Sequence, residues 1–167
     1  MNKKLVFEII ELMVFDFDGV LTNNLVHLDQ NGTELVSCSR SDGLAFDALR
    51  KLKKPVHIIS TEKNPIVGAR AKKLKVPVLQ GIQDKQLALV KLAEMKKYKL
   101  ENILYVGNDL NDFKVMQICG YTACPNDSHL KIKEISSFVL KSNGGEGIVR
   151  ELLEDTFNID LMKVLFN

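Results

Sequence analysis

With 167 residues, of which 46% are hydrophobic and 26% charged, the chain has ordinary globular composition and enough length to bury a core. Its formal net charge of +2, with no basic run interleaved with aromatics, excludes nucleic acid as the expected partner. Cys38, Cys119 and Cys124 form no Cys-x-x-Cys and point to reduced thiols in the cytoplasm, while Met1 to Leu12 reads as neither signal peptide nor membrane span.

Leu12 to Phe15 is an apolar run too short for a helix and reads as a buried strand. It runs into Asp16-Phe17-Asp18-Gly19, where the glycine lets the chain turn sharply away. Two carboxylates at the end of an apolar strand repel each other and lose water, so the arrangement asks for a cation between them. Leu25 to Val36 holds short apolar segments around Asp29-Gln30-Asn31-Gly32, and its Asn-Gly pair predicts a β-hairpin projecting from the first strand. Asp42-Gly43 then opens a helix with Ala45, Leu49 and Leu52 on one face, ended by Pro55.

Val56 to Ile59 is the second core strand, stopping at Ser60-Thr61. Asn64 as N-cap and Pro65 in the first turn start a helix whose buried stripe is Val67, Ala71 and Leu74. Val76 to Leu79 is a third strand, and Asp84 caps a helix lined on one face by Ala88, Leu92 and Met95. Ile103 to Val106 is a fourth, ending at Gly107-Asn108-Asp109, with a helix from Asp109 to Ile118. Tyr121 to Ala123 and Phe138 to Leu140 complete the strands before a loop holding Gly144, Gly145 and Gly147 and a last helix from about Ile148 to Phe157. Lysines at 51, 53, 54, 72, 73, 75, 96, 97 and 99 gather near the helix ends, where they are solvated and offset the helix dipoles.

This alternation predicts an α/β fold: an open parallel sheet with helices on both faces, one domain over residues 1–167 and a hairpin flap at about 25–36. In such sheets ligands bind beyond the carboxyl ends of the strands. Asp16, Asp18, Ser60, Asn108 and Asp109 all follow predicted strands, and Lys85 opens a helix just after one, so these side chains converge on one rim. Carboxylates, an amide, a hydroxyl and a lysine suit a phosphoryl group held with Mg²⁺, a small hard cation that takes oxygen ligands. One aspartate can attack phosphorus; the other can protonate the leaving oxygen and then activate water. His27, His57 and His129 show no ligand spacing, and no acid completes a triad with Ser60 and His57, which argues against a serine hydrolase.

Four segments, D-F-D-G-V-L-T at Asp16 to Thr22, Ser60 after its strand, Lys85, and G-N-D-L-N-D at Gly107 to Asp112, resemble the motifs of the haloacid dehalogenase (HAD) phosphatase superfamily. Q-G-I-Q-D-K at Gln80 to Lys85, Y-V-G-N-D-L-N-D at Tyr105 to Asp112 and G-G-E-G-I-V-R-E at Gly144 to Glu151 narrow the resemblance. They are similar to the capless 3-deoxy-octulosonate 8-phosphate (KDO) phosphatases, to the nonulosonate (sialic acid) 9-phosphate phosphatases, and to the phosphatase-like tail of acylneuraminate cytidylyltransferases. The resemblance implies a HAD-like Rossmannoid fold without a large cap, and a Mg²⁺-dependent phosphatase of a sugar-acid phosphate working through an aspartyl-phosphate. It implies Asp16 as nucleophile and metal ligand, Asp18 as acid/base with its carbonyl on the metal, and Ser60 and Lys85 on the phosphoryl group. Arg40, Ser41, Asp42 and Gly43 match a substrate-contacting stretch, and Arg70 a basic residue facing the sugar acid. A homotetramer with the hairpin in its subunit contacts is implied as well.

Two departures stand out. Asn108 occupies the position of the third metal ligand, where the phosphatases usually carry an acid, leaving Asp109 or Asp112 to compensate. Glu62 resembles the nonulosonate enzymes, where octulosonate enzymes tend to carry arginine; a glutamate suits a substrate that offers hydroxyl or amine donors. The competing expectation is a weakly active or inactive oligomerisation module related to the cytidylyltransferase tail. A mutase would normally need a cap domain, and no insertion of that size interrupts the motifs.

Overall fold

The computed structural model describes residues 6–167; Met1 to Leu5, the start of the segment read above as neither signal nor membrane span, lie outside the described residues. β1 (Leu12–Phe15), β4 (Val56–Ile59) and β6 (Ile103–Val106) fall where the apolar runs place them. Together with β5 (Val78–Leu79), β7 (Tyr121–Cys124) and β8 (Phe138–Val139) they form a parallel sheet of order β5-β4-β1-β6-β7-β8. β1 is central: Phe15 pairs with Ile58 on one side and Val106 on the other. The hairpin is β2 (His27–Leu28) against β3 (Glu34–Leu35), antiparallel and separate from the main sheet.

Strand residues alternate between two cores, as the pleat requires. Met13, Phe15, Ile58, Leu104 and Val106 pack under α1 (Arg40–Lys51), α2 (Ile66–Leu74), α6 (Ile148–Glu151) and α7 (Leu161–Phe166). Leu12, Val14, Ile59, Ile103 and Tyr105 pack under α3 (Lys85–Lys96), α4 (Phe113–Gln117) and α5 (Leu130–Ile135). Both faces are therefore covered, and all three cysteines are free. Among the described residues no helix is long and apolar enough to cross a membrane.

Several boundaries move for identifiable reasons. α1 begins before Asp42-Gly43 because Ser39 is its N-cap, its hydroxyl accepting from the Ser41 N–H; Leu52 is the exposed C-cap rather than part of the buried stripe. In α2 the cap position falls on Pro65, although Asn64 Oδ1 still accepts from the Ile66 N–H at 3.1 Å. β5 is only two residues long, starting after Pro77, which has no N–H to give a ladder. The stripe of α3 is Lys85, Leu89, Leu92 and Ala93 rather than Ala88, Leu92 and Met95, and Met95 is 69% exposed. Asp109 caps a 3-10 turn (Leu110–Asp112) that leads into α4, and the helix expected from Ile148 to Phe157 runs from α6 into wider π-type turns over Leu152–Thr156, with α7 following it.

Candidate active site

The carboxyl ends of β1, β4 and β6, three adjacent strands, open on a cleft of about 250 Å³ lined by Asp16, Asp18, Asn24, Thr61, Asn108, Asp109, Leu110 and Asn111. Asp16 ends β1, its N–H continuing the ladder to the Val106 carbonyl. Gly19, at φ +77°, turns the chain away; a Cβ there would lie 1.9 Å from Asn108 Nδ2, so only glycine lets Asn108 lie against this turn. The Thr22 hydroxyl closes the turn, accepting from the N–H groups of Gly19 and Asn24.

Beneath the cleft lies a compact charge cluster. Lys85 Nζ sits 2.8 Å from Asp16 Oδ2 and 2.7 Å from Asp112 Oδ1, and all three side chains are buried. Lys85 explains the mis-phased stripe of α3: it occupies a core position of that helix and turns inward to meet the carboxylates. Asp112 is saturated, with Oδ1 accepting also from the Tyr105 hydroxyl at 3.0 Å and Oδ2 from the Asn108 and Asp109 N–H groups at 3.0 and 3.4 Å. It therefore lies behind the cleft as an anchor for Lys85 and the Gly107–Asp109 turn and has no free oxygen to offer it. Gly107 is required there, since a Cβ would come within 2.6 Å of Asp112 Cγ.

Burial, then the charge of Asp112, raises the Asp16 carboxyl well above the ordinary range despite Lys85. Burial also works against the Lys85 ammonium, but the two carboxylates outweigh it and hold its pKa above the usual lysine value. Asp18 is half-buried, and burial, followed by the charges of Glu62 and Glu34, raises its carboxyl.

Ser60 is buried behind exposed Thr61, its Oγ accepting from the Glu62 N–H at 3.1 Å. Glu62 accepts from the Asn64 N–H at 2.7 Å, and the Asn64 amide reaches Glu34 on the hairpin at 3.3 Å. Asp109 borders the cleft while its carboxylate accepts from the Leu110 N–H. The stretch Arg40 to Gly43 and Arg70 do not line the cleft. Asp42 is buried, its Oδ1 accepting from the Val149 and Arg150 N–H groups at the start of α6; Gly43 packs toward Leu74. Arg70 donates to the Ser39 carbonyl at 2.8 Å, Arg40 is exposed, and Ser41 hydrogen-bonds Ser39. Asn24 escapes a reading of sequence, while Thr61, at its strand end, and Tyr105 and Asn111, inside the quoted motifs, carry no role in it: a tyrosine inside an apolar strand looks like core, and Thr61 and Asn111 sit in turns.

Asn108 Oδ1 is buried with no hydrogen-bond partner, and the Asp16–Lys85–Asp112 cluster holds two carboxylates to one ammonium. A hard divalent cation fits this donor set of Asp16, Asp18 and the Asn108 amide oxygen. Among the described residues no three His, Cys, Asp or Glu side chains converge as a metal site.

A six-stranded parallel sheet with an aspartate ending its central strand, a buried lysine beside it and a polar turn after the neighbouring strand defines a class of hydrolases. The chain belongs to the haloacid dehalogenase-like hydrolase family, whose model matches residues 48–152. It is 33% identical over 148 residues to the 3-deoxy-D-manno-octulosonate 8-phosphate phosphatase KdsC of Escherichia coli, an alignment covering 88% of this chain and 79% of the relative. A crystal structure described as a HAD family hydrolase from Streptomyces avermitilis superposes with TM-score 0.92 at 39% identity, covering 96% of this chain and 92% of that one. The 3-deoxy-D-manno-octulosonate 8-phosphate phosphatase of Moraxella catarrhalis, in complex with magnesium, phosphate and KDO, superposes with TM-score 0.84 at 29% identity, covering 93% and 87%. The protein is accordingly a phosphoric monoester hydrolase.

Proposed function

We propose that the protein hydrolyses the phosphate monoester of a sugar acid, with Mg²⁺, through an aspartyl-phosphate on Asp16. The observation that carries this reading is Asp16 at the end of the central strand, on the cleft, with Lys85 Nζ 2.8 Å away. Asp16 Oδ2 is the attacking oxygen, and the phosphoryl group's charge is shared with Lys85 and with Ser60 and Thr61 at the end of β4. Asp18, whose carboxyl holds its proton more tightly than usual, gives it to the leaving alkoxide and then takes one from the water that cleaves the acyl phosphate. Asp16, the Asp18 backbone carbonyl and Asn108 would hold Mg²⁺. When bound, the metal supplies positive charge that lets two carboxylates and an anionic substrate coexist.

The substrate reading turns on Glu62. Together with Glu34 it places negative charge beside Asp18, which suits the acylamido N–H donors that an acylated nonulosonate 9-phosphate carries and an octulosonate lacks. The exposed Leu25, Val26, Leu28 and Leu35 of the hairpin support its burial between subunits of a homotetramer, and the free thiols suit a cytoplasmic setting. The Asn108 amide is the observation that favours the second reading, an oligomerisation module with little chemistry. Phosphate release from 9-phospho-nonulosonates and 8-phospho-octulosonate, with and without Mg²⁺, tests both. Turnover that needs the metal and vanishes in Asp16→Asn is expected, whereas no turnover from a stable tetramer would sink the phosphatase reading.

A further inference from the structure

Tyr105 belongs to the core beneath α3 and α4 and is fully buried. A phenylalanine would fill the same space without a polar atom to satisfy, so the hydroxyl needs its own reason. Its partner is Asp112 Oδ1, at 3.0 Å, the same oxygen that accepts from Lys85. The ammonium stands between two carboxylates at nearly equal distances, 2.7 Å from Asp112 and 2.8 Å from Asp16. An ammonium so placed moves toward whichever carboxylate carries more unshared charge. The tyrosine hydroxyl takes up part of the charge on Asp112 Oδ1, while the two N–H groups on Oδ2 fix the plane of the carboxylate. Asp112 is thereby kept from drawing Lys85 inward and away from Asp16.

Resting on the phosphatase reading, we propose that Tyr105 is a positioning residue for phosphoryl transfer: through Asp112 it holds Lys85 against Asp16, where the transferred group's charge would fall. Tyr105 does not line the cleft and touches no substrate. Its influence passes through one carboxylate.

Tyr105→Phe is isosteric and keeps the core filled. With Mg²⁺ and saturating substrate its kcat is expected to fall about tenfold, with KM changed by less than about twofold. In an Asp112→Asn background the same change should cost less than about twofold, because the charge it balances is gone. The Lys85 ammonium signal in a ¹⁵N spectrum of the folded protein should shift in Tyr105→Phe, a readout that needs no turnover. An unchanged kcat with an unshifted signal would overturn the proposal, as would full additivity with Asp112→Asn. Should Asp112→Asn fail to fold, the ammonium signal in Tyr105→Phe decides alone. Should the wild type release phosphate from no monoester, the phosphatase reading falls, and a shifted signal still supports the hold of Tyr105 on Lys85 while an unshifted one removes it.

Discussion

On the floor of the cleft every charged atom has a partner: Lys85 bridges two carboxylates, and Asp112 accepts from a lysine, a tyrosine and two backbone N–H groups. At the rim partners are fewer, although Asp109 accepts from the Leu110 N–H and Asp18 from Thr22. Asp18 is half-buried, Asn108 Oδ1 has no partner, and Thr61 and Asn111 are exposed with a single long contact of 3.4 Å between them. The floor is fixed before any ligand arrives, and burial makes its charges both strong and costly to disturb. The rim keeps unspent donors and acceptors for whatever enters.

The sharpest way to break this contrast is Lys85→Met, which strands two buried carboxylates. Stability should fall by about 3 to 5 kcal/mol, read from urea unfolding, and turnover should be lost. The variant should recover stability as pH falls, because Asp16 and Asp112 can then be neutralised. A loss below about 1 kcal/mol would show that the floor does not depend on its cation.

Asn108→Asp tests the rim, where a change alters binding more than folding. A third carboxylate should lower the Mg²⁺ concentration giving half-maximal phosphate release by about tenfold and make the unfolding midpoint rise more with added Mg²⁺ than in the wild type. An unaltered metal response would remove Asn108 from the ligand set.

The last effect concerns Asp42, a buried carboxylate whose burial is only partly offset by two backbone N–H groups and the charges of Arg70 and Arg150. Burial pushes its pKa from 3.8 up to about 6, so the folded chain binds this proton more tightly than the unfolded one. The stability this gives is complete below the unfolded value and is lost as pH rises through the folded one. Between pH 4 and 7 the wild type should therefore lose about 2 kcal/mol relative to Asp42→Asn, whose amide can still accept from the start of α6. Parallel stability curves for the two proteins would refute it.

How much of this could be read from sequence divides along the same line. The apolar runs at Leu12–Phe15, Val56–Ile59 and Ile103–Val106 announced the three strands that carry the cleft, and the parallel-sheet rule brought Asp16, Asp18, Asn108 and Asp109 to it. The rim is local to strand ends, so it is legible. Of the floor, Lys85 is expected near Asp16, where it lies, but its pairing with Asp112, 27 positions away, has no signal near either residue. Lysine at a core position of α3 also broke the apolar period of that helix, which is why its buried face was mis-phased. α5 escaped notice for a similar reason: in L-K-I-K-E-I only Ile132 is fully buried, too little to set a period. The α7 helix, capped by Asp160, likewise went unread in its short C-terminal segment.

The order β4-β1-β6 at the middle of the sheet has a consequence for how the protein comes into being. Asp16 is made early, but the strand that flanks it on one side and the turn bearing Asn108 and Asp112 are made last of the three. A nascent chain that has folded only β1, α1 and β4 would hold the attacking carboxylate without the wall that shapes its cleft. Until the chain has grown past Asp112 it lacks both Asn108 and the second carboxylate of Lys85, and the turn at Gly19 is backed only when Gly144 and Gly145, later still, pack against it.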